Sequence, residues 1–125
     1  IDFEDFMEAS ELRVKSPGTY VFRDYESWTT FCFEHWRSRD IRPLVDFEKY
    51  MIIAIFWGQS GGCYSWANGV KDVFIRQGVI EVHLIEPDLG YCDMIIWPLQ
   101  VIKMKKYDLP IEFHGCIPGD TEKNE

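Results

Sequence analysis

Between Lys49 and Trp57 the chain is apolar at nearly every position, KYMIIAIFW, with no alternation. Such a run suits a strand buried on both faces rather than one with a solvated side. A different rhythm precedes it. Trp28, Phe31, Cys32, His35 and Trp36 recur at i, i+3, i+4, i+7 and i+8, which places them on one face of a helix. Asp24 or Ser27 can cap its N-terminus, Arg37 and Arg39 suit its C-terminal end, and Pro43 stops any continuation. Further on, Val70 to Glu86 predicts a β-hairpin turning at Gln77-Gly78, where glycine supplies the positive φ of a tight turn. Pairing Arg76 with Val79 sets Ile75 against Ile80 and Val73 against Val82 on one face. Phe74 then meets Glu81, and Asp72 meets His83, on the other. The apolar pairs fall together, so the register is self-consistent.

The remaining segments are shorter. Thr19 to Arg23 is β-branched and aromatic and predicts a strand, just after a Pro17-Gly18 turn. Met94 to Met104 is a second long β run, and Pro98 within it implies a bulge or an edge position. Pro87 to Gly90 predicts a turn, and Ile111 to Phe113 a last short strand. Phe3, Phe6, Met7 and Leu12 give residues 1–16 a weak helical pattern, and Gly119 to Glu125 is expected to be a flexible polar tail. The sum is an α+β fold, a mostly antiparallel sheet, curved or sandwich-like, with one main amphipathic helix packed on it. A single domain is expected over residues 1–125, with a core from 19 to 113, an N-terminal extension over 1–16 and a tail over 119–125.

Composition changes the picture in two places. With 46% apolar and 16% aromatic residues the chain can fill a compact core. A formal net charge of −8 argues against a nucleic-acid partner, because phosphate contacts need clustered Lys and Arg. The basic cluster Lys103, Lys105 and Lys106 reads as a solvated strand edge instead. The longest apolar run, Met51 to Trp57, is far short of the ~20 residues of a membrane-spanning helix, so no integral span is expected. The chain opens on Ile1, so a processed product is expected, with any secretion signal or lipid-attachment segment lost from it.

Cysteines and histidines are the natural candidates for chemistry. Cys32, Cys63, Cys92 and Cys116 include no CxxC, and four cysteines permit three full connectivities. Cys63 and Cys92 each follow a glycine-containing loop at the start of a strand, where two strands can bring them side by side. A Cys63–Cys92 disulfide is expected; it closes a loop of about 30 residues, worth about 3 kcal/mol by chain entropy. A Cys32–Cys116 bond is a second pairing the sequence allows. Any disulfide implies an oxidising, extracytoplasmic setting. Cys32 with His35 three positions on is better explained as a core stripe than as a nucleophile and base. His35, His83 and His114 lack ligand spacing such as HxxxH, so neither a metal nor another cofactor is expected. Were a metal to bind, His83 and Asp72 would hold it, but they read more simply as a cross-strand charge pair on the solvent face. No catalytic constellation stands out. The best candidate surface is WGQSGGCYSW, with Trp57, Gln59, Ser60, Tyr64 and Trp66 as its binding residues, set against the reading that Trp57 and Trp66 belong to the core.

The order of motifs resembles a known family. Glu26-Ser27-Trp28 lies in the helix, with Trp36 after it; Val45-Asp46-Phe47 leads into a strand ending Phe56-Trp57-Gly58. A glycine-rich loop, a hairpin, a strand carrying Pro98 and Pro110 to Phe113 follow. Over Thr19 to Phe113 the chain is similar to the PrcB C-terminal domain family of bacterial secreted proteins and lipoproteins. That family is named for a lipoprotein that associates with and stabilises a surface protease. Where its members often carry a threonine-glycine-glycine-tyrosine-like loop, this chain has Ser60-Gly61-Gly62-Cys63-Tyr64. The added cysteine, with Cys92, resembles a disulfide-bearing branch. The resemblance implies a non-enzymatic, extracytoplasmic accessory domain that binds a protein partner, such as a protease or another envelope protein, and stabilises it. A small-ligand or carbohydrate-binding module of the cell envelope is the alternative, using the same aromatics for stacking, and a hydrolase comes third.

Overall fold

The computed structural model describes residues 1–6, 12–14, 16–35, 44–62, 69–86 and 91–118. Within them the chain runs β1 (Phe3–Asp5), β2 (Gly18–Phe22), α1 (Tyr25–His35), β3 (Tyr50–Phe56), β4 (Ser60–Gly61) and β5 (Val70–Arg76). It continues through β6 (Val79–Leu84), β7 (Ile95–Ile96), β8 (Leu99–Lys105) and β9 (Ile111–Gly115). The fold is α+β and mostly antiparallel. Trp36, Arg37, Arg39, Pro43, the 87–90 turn and the 119–125 tail lie outside the described residues.

The central sheet has the order β1-β8-β3-β2. Its middle pair, β3 and β8, explains the uninterrupted apolar run, because each face meets a different core. One face presents Ile52, Ala54, Phe56, Leu99 and Val101 to a cluster that includes Trp28, Phe31 and Cys32 of α1. Phe31 stands 5.1 Å from Phe22 and 5.6 Å from Phe56, ring centre to ring centre. The other face presents Met51, Ile53, Ile55, Ile102 and Met104 to Val73, Ile80, Val82 and Leu84 of a second sheet, ordered β5-β6-β9. Asp24 begins the helix: its Oδ1 accepts the Ser27 amide hydrogen at 2.8 Å.

The hairpin keeps the register its alternation predicts, from Asp72 opposite His83 to Arg76 opposite Val79. Gln77 and Gly78 both take positive φ, 54° and 78°, as a two-residue turn of this hand requires. Pro98 marks a bulge, one of its two expected roles. Phe56 pairs with Leu99, but Ser60 pairs with Ile96, so the first strand holds one more residue than its partner across the gap. Gly58, at φ 81°, absorbs that extra residue. Beyond the bulge β4 and β7 continue as a short two-stranded ribbon.

Two expectations are corrected, and one pairing is new. Phe3–Asp5, within the stretch read as weakly helical, is a strand on β8, because the i, i+3 spacing of Phe3 and Phe6 also serves a chain crossing a sheet margin. Lys103 is not at a sheet edge. It lies on the inner strand β8, pairing with Glu4 at 3.2 Å and sitting over the rings of Tyr50 and Phe6. Lys106 donates to the Phe47 carbonyl at 2.8 Å. Finally, β9 runs parallel to β6, a pairing the local sequence of β9 does not announce.

Candidate functional site

The glycine-rich segment divides into framework and ribbon. Trp57 is half-buried and packs against the core between the two sheets. Its ring lies over Gly69, where an added Cβ would fall 2.1 Å from the Trp57 Cη2. Nearby, the buried Gln100 carbonyl accepts from the Gly69 and Val70 amides at 2.5 and 2.7 Å, and its amide donates to Asp5 at 2.8 Å. These contacts fasten the start of β5 to the central sheet. Gln59 is exposed and Ser60 half-buried on the ribbon, so of the five predicted binding residues three are described; Tyr64 and Trp66 lie outside the described residues.

The ribbon carries an apolar surface that sequence reasoning did not single out. Tyr91 is fully exposed, Met94 is 56% exposed and Ile95 63%. Ile95 pairs with Gly61, and the Gly62 amide donates to the Met94 carbonyl at 3.2 Å. The predicted loop and this apolar segment are therefore the two strands of one ribbon. The signal available in the sequence was the run Tyr91-Cys92-Asp93-Met94-Ile95, in which apolar residues follow the expected Pro87–Gly90 turn. Cys32 is fully buried and Cys116 is exposed, and no disulfide joins the two. Cys92 is not a free thiol, and Cys63 lies outside the described residues.

A second concentration of polar chemistry occupies the outer face of the β5-β6-β9 sheet. Strand alternation turns Ile80, Val82 and Leu84 inward and leaves Glu81 and His83 on the opposite face. Glu112 and His114 hold the equivalent places on β9, paired in register with Glu81 and His83. His83 does not form the expected pair with Asp72. Its Nε2 donates to Glu81 Oε1 at 3.0 Å on its own strand, two residues back. His114 makes the matching contact with Glu112 at 3.2 Å. The His83 ring is stacked between Phe74, at 4.7 Å, and His114, at 4.9 Å. The hydrogen bond from His83 holds the Glu81 carboxyl below its ordinary range against the opposing effect of burial, and the Arg76 guanidinium adds to the lowering.

Two shallow depressions lie elsewhere. One, of about 370 Å³, is lined by Phe3, Glu4, Tyr50 and Lys103 among others; the second, of about 480 Å³, runs along one side of α1 from Asp24 to Glu34. Neither contains a histidine or a cysteine. No helix among the described residues is long and apolar enough to cross a membrane. No family model, no curated protein and no solved structure matches this chain.

Proposed function

We propose that this chain is a non-enzymatic interaction module of the cell envelope that docks a protein partner through the β4–β7 ribbon. The observation that carries this reading is the exposure of Tyr91, Met94 and Ile95 within five residues of chain leading into β7. Large apolar and aromatic side chains set on a rigid element are typical anchors of an interface core. The net charge of −8 favours a partner whose rim is basic. A stabilising role toward an extracytoplasmic protease rests on the family resemblance alone. The Cys63–Cys92 disulfide belongs to the same proposal, since it would cross-link the chain two residues after β4 and three before β7.

The test is recovery of partners from an envelope extract by the wild-type chain and by the Met94→Asp/Ile95→Asp variant. The proposal expects one or more stoichiometric partners whose recovery falls at least about tenfold in the variant, the loss expected when a central anchor of ~1.4 kcal/mol or more is removed. Undiminished recovery removes the ribbon from consideration, and glycan binding without protein capture moves the assignment to the carbohydrate reading. A thiol titration of the unfolded, unreduced chain checks the disulfide. Two reactive thiols support it, and four remove both the bond and its argument for an oxidising compartment.

A further inference from the structure

The outer face of the β5-β6-β9 sheet holds a motif repeated on adjacent strands: Glu81-Val82-His83 on β6 and Glu112-Phe113-His114 on β9. Parallel, in-register pairing sets carboxylate beside carboxylate and imidazole beside imidazole. For a sheet held by its core alone this is a poor arrangement, because like charges directly opposite on neighbouring strands destabilise their pairing. Arg76 lies 3.9 Å from Glu81 Oε2 and is itself largely exposed. Two carboxylates and the imidazole of His114 gathered at one place are instead a donor set for a divalent cation of borderline softness.

Distances agree with that chemistry. One ligand atom each from Glu81, Glu112 and His114 lies within 4.8 Å of the others. The His114 Nε2 and Glu112 Oε1 are 3.2 Å apart. In a tetrahedral zinc site with bonds near 2.0–2.1 Å, neighbouring ligand atoms stand about 3.3 Å apart. The pair on β9 already has that spacing, and small rotations about the Glu81 side chain bring in the third. His83 serves these ligands from beside them. Its Nε2 donates to Glu81 Oε1, and its ring, clamped between Phe74 and His114, fixes the orientation of the His114 imidazole.

We propose that Glu81, Glu112 and His114 form a zinc site on this face, with His83 as a positioning residue. Three protein ligands leave a fourth position for water or for a group from outside the chain. The face is distinct from the β4–β7 ribbon, so the site stands or falls separately from the docking reading.

Calorimetric titration of ZnSO4 into the chain carrying Cys116→Ser tests it, since that change removes the exposed thiol as a competing ligand. A stoichiometry of one zinc per chain is expected, with MgSO4 giving no heat because a hard cation disfavours imidazole. Substitution of cobalt should give visible ligand-field absorption without a thiolate charge-transfer band. His114→Gln and Glu112→Gln should each weaken binding by well over about tenfold, and His83→Gln by about tenfold, as loss of an orienting neighbour does. His35→Gln, on α1, should leave it unchanged. Circular dichroism confirms that these surface variants remain folded. Absence of zinc binding by the parent chain overturns the proposal, as does binding that survives both His114→Gln and Glu112→Gln.

Discussion

The two larger sheets of this molecule use their faces differently. The central sheet is sealed on both sides, by α1 and the N-terminal residues on one and by the β5-β6-β9 sheet on the other. Its inner strand β3 accordingly carries only apolar side chains from Met51 to Phe56, and the one buried polar side chain described on β8, Gln100, is hydrogen-bonded through both its carbonyl and its amide. The outer sheet gives only one face to the core. Its other face is where Phe74, Arg76, Glu81, His83, Glu112 and His114 gather. The first sheet supplies stability and the second is free to supply chemistry, so equal-sized substitutions in the two should have unequal consequences.

The widest separation is expected between Ile53→Ala and Phe74→Ala. Ile53 is fully buried between the sheets, and its truncation should cost about 3 kcal/mol, from lost transfer energy and the cavity left behind. Phe74 lies half-exposed on the open face, stacked on His83, and its removal should cost about 1 kcal/mol. Urea unfolding of both variants measures the difference. Comparable losses would mean that the outer face is part of the structural core, and the division between the sheets would fail.

Gln100→Leu probes how the two sheets are joined. The substitution keeps the volume but leaves the Gly69 and Val70 amides facing an apolar group. Stranding buried donors should cost about 2 kcal/mol, and hydrogen exchange at the start of β5 should accelerate more than exchange in the middle of β3. Uniform acceleration would place Gln100 in the general core instead.

These contrasts also explain what the sequence could and could not reveal. The hairpin was legible from Asp72 to His83 because Gly78 fixes the turn and period-two alternation then fixes the pairs, whereas the register shift that sets Val70 opposite Leu84 was not. β3 was legible because only a doubly covered strand tolerates KYMIIAIFW. Parallel pairing of β9 was not, since a five-residue strand carries no mark of direction; its partner is set by where the chain returns after β7 and β8. That single omission hid the Glu–His cluster, although the repeated Glu-x-His spelling was in view. The lysines misled for a related reason: Lys103 has an edge residue's composition on an inner strand, and only Glu4 and two aromatic rings from distant sequence make that place tolerable.

Gly69→Ala should have a smaller effect than Gln100→Leu. The new methyl group would fall 2.1 Å from Trp57 Cη2 and 3.2 Å from the Ile85 carbonyl oxygen, so something must move. Trp57 is only half-buried and can swing outward, which limits the cost to about 1 kcal/mol, at the low end for overpacking. Tryptophan fluorescence should shift to the red as that ring meets water. An unshifted spectrum with an intact fold would show that the ring has room beside Gly69.

The smallest effect concerns the far side of the central sheet, at the helix cap. The Ser27 backbone amide, donating to Asp24, holds that carboxyl below its ordinary range, with the Ser27 hydroxyl contributing next. A group whose folded pKa is depressed stabilises the fold above its unfolded value and loses that contribution as pH falls through the folded one. Asp24 should therefore support α1 at neutral pH and release it on acidification below the ordinary carboxylate range. Asp24→Asn retains an acceptor for the Ser27 amide but no charge, and asparagine caps helices about as well as aspartate. At pH 7 the variant should melt within about 2 °C of wild type, the difference reflecting only the lost charge at the helix N-terminus. As the pH falls through the lowered folded pKa the gap should close, because the wild-type carboxyl then takes up a proton while the amide does not change. A gap that widened on acidification would mean that the uncharged carboxyl stabilises the helix start, the reverse of what the cap geometry requires.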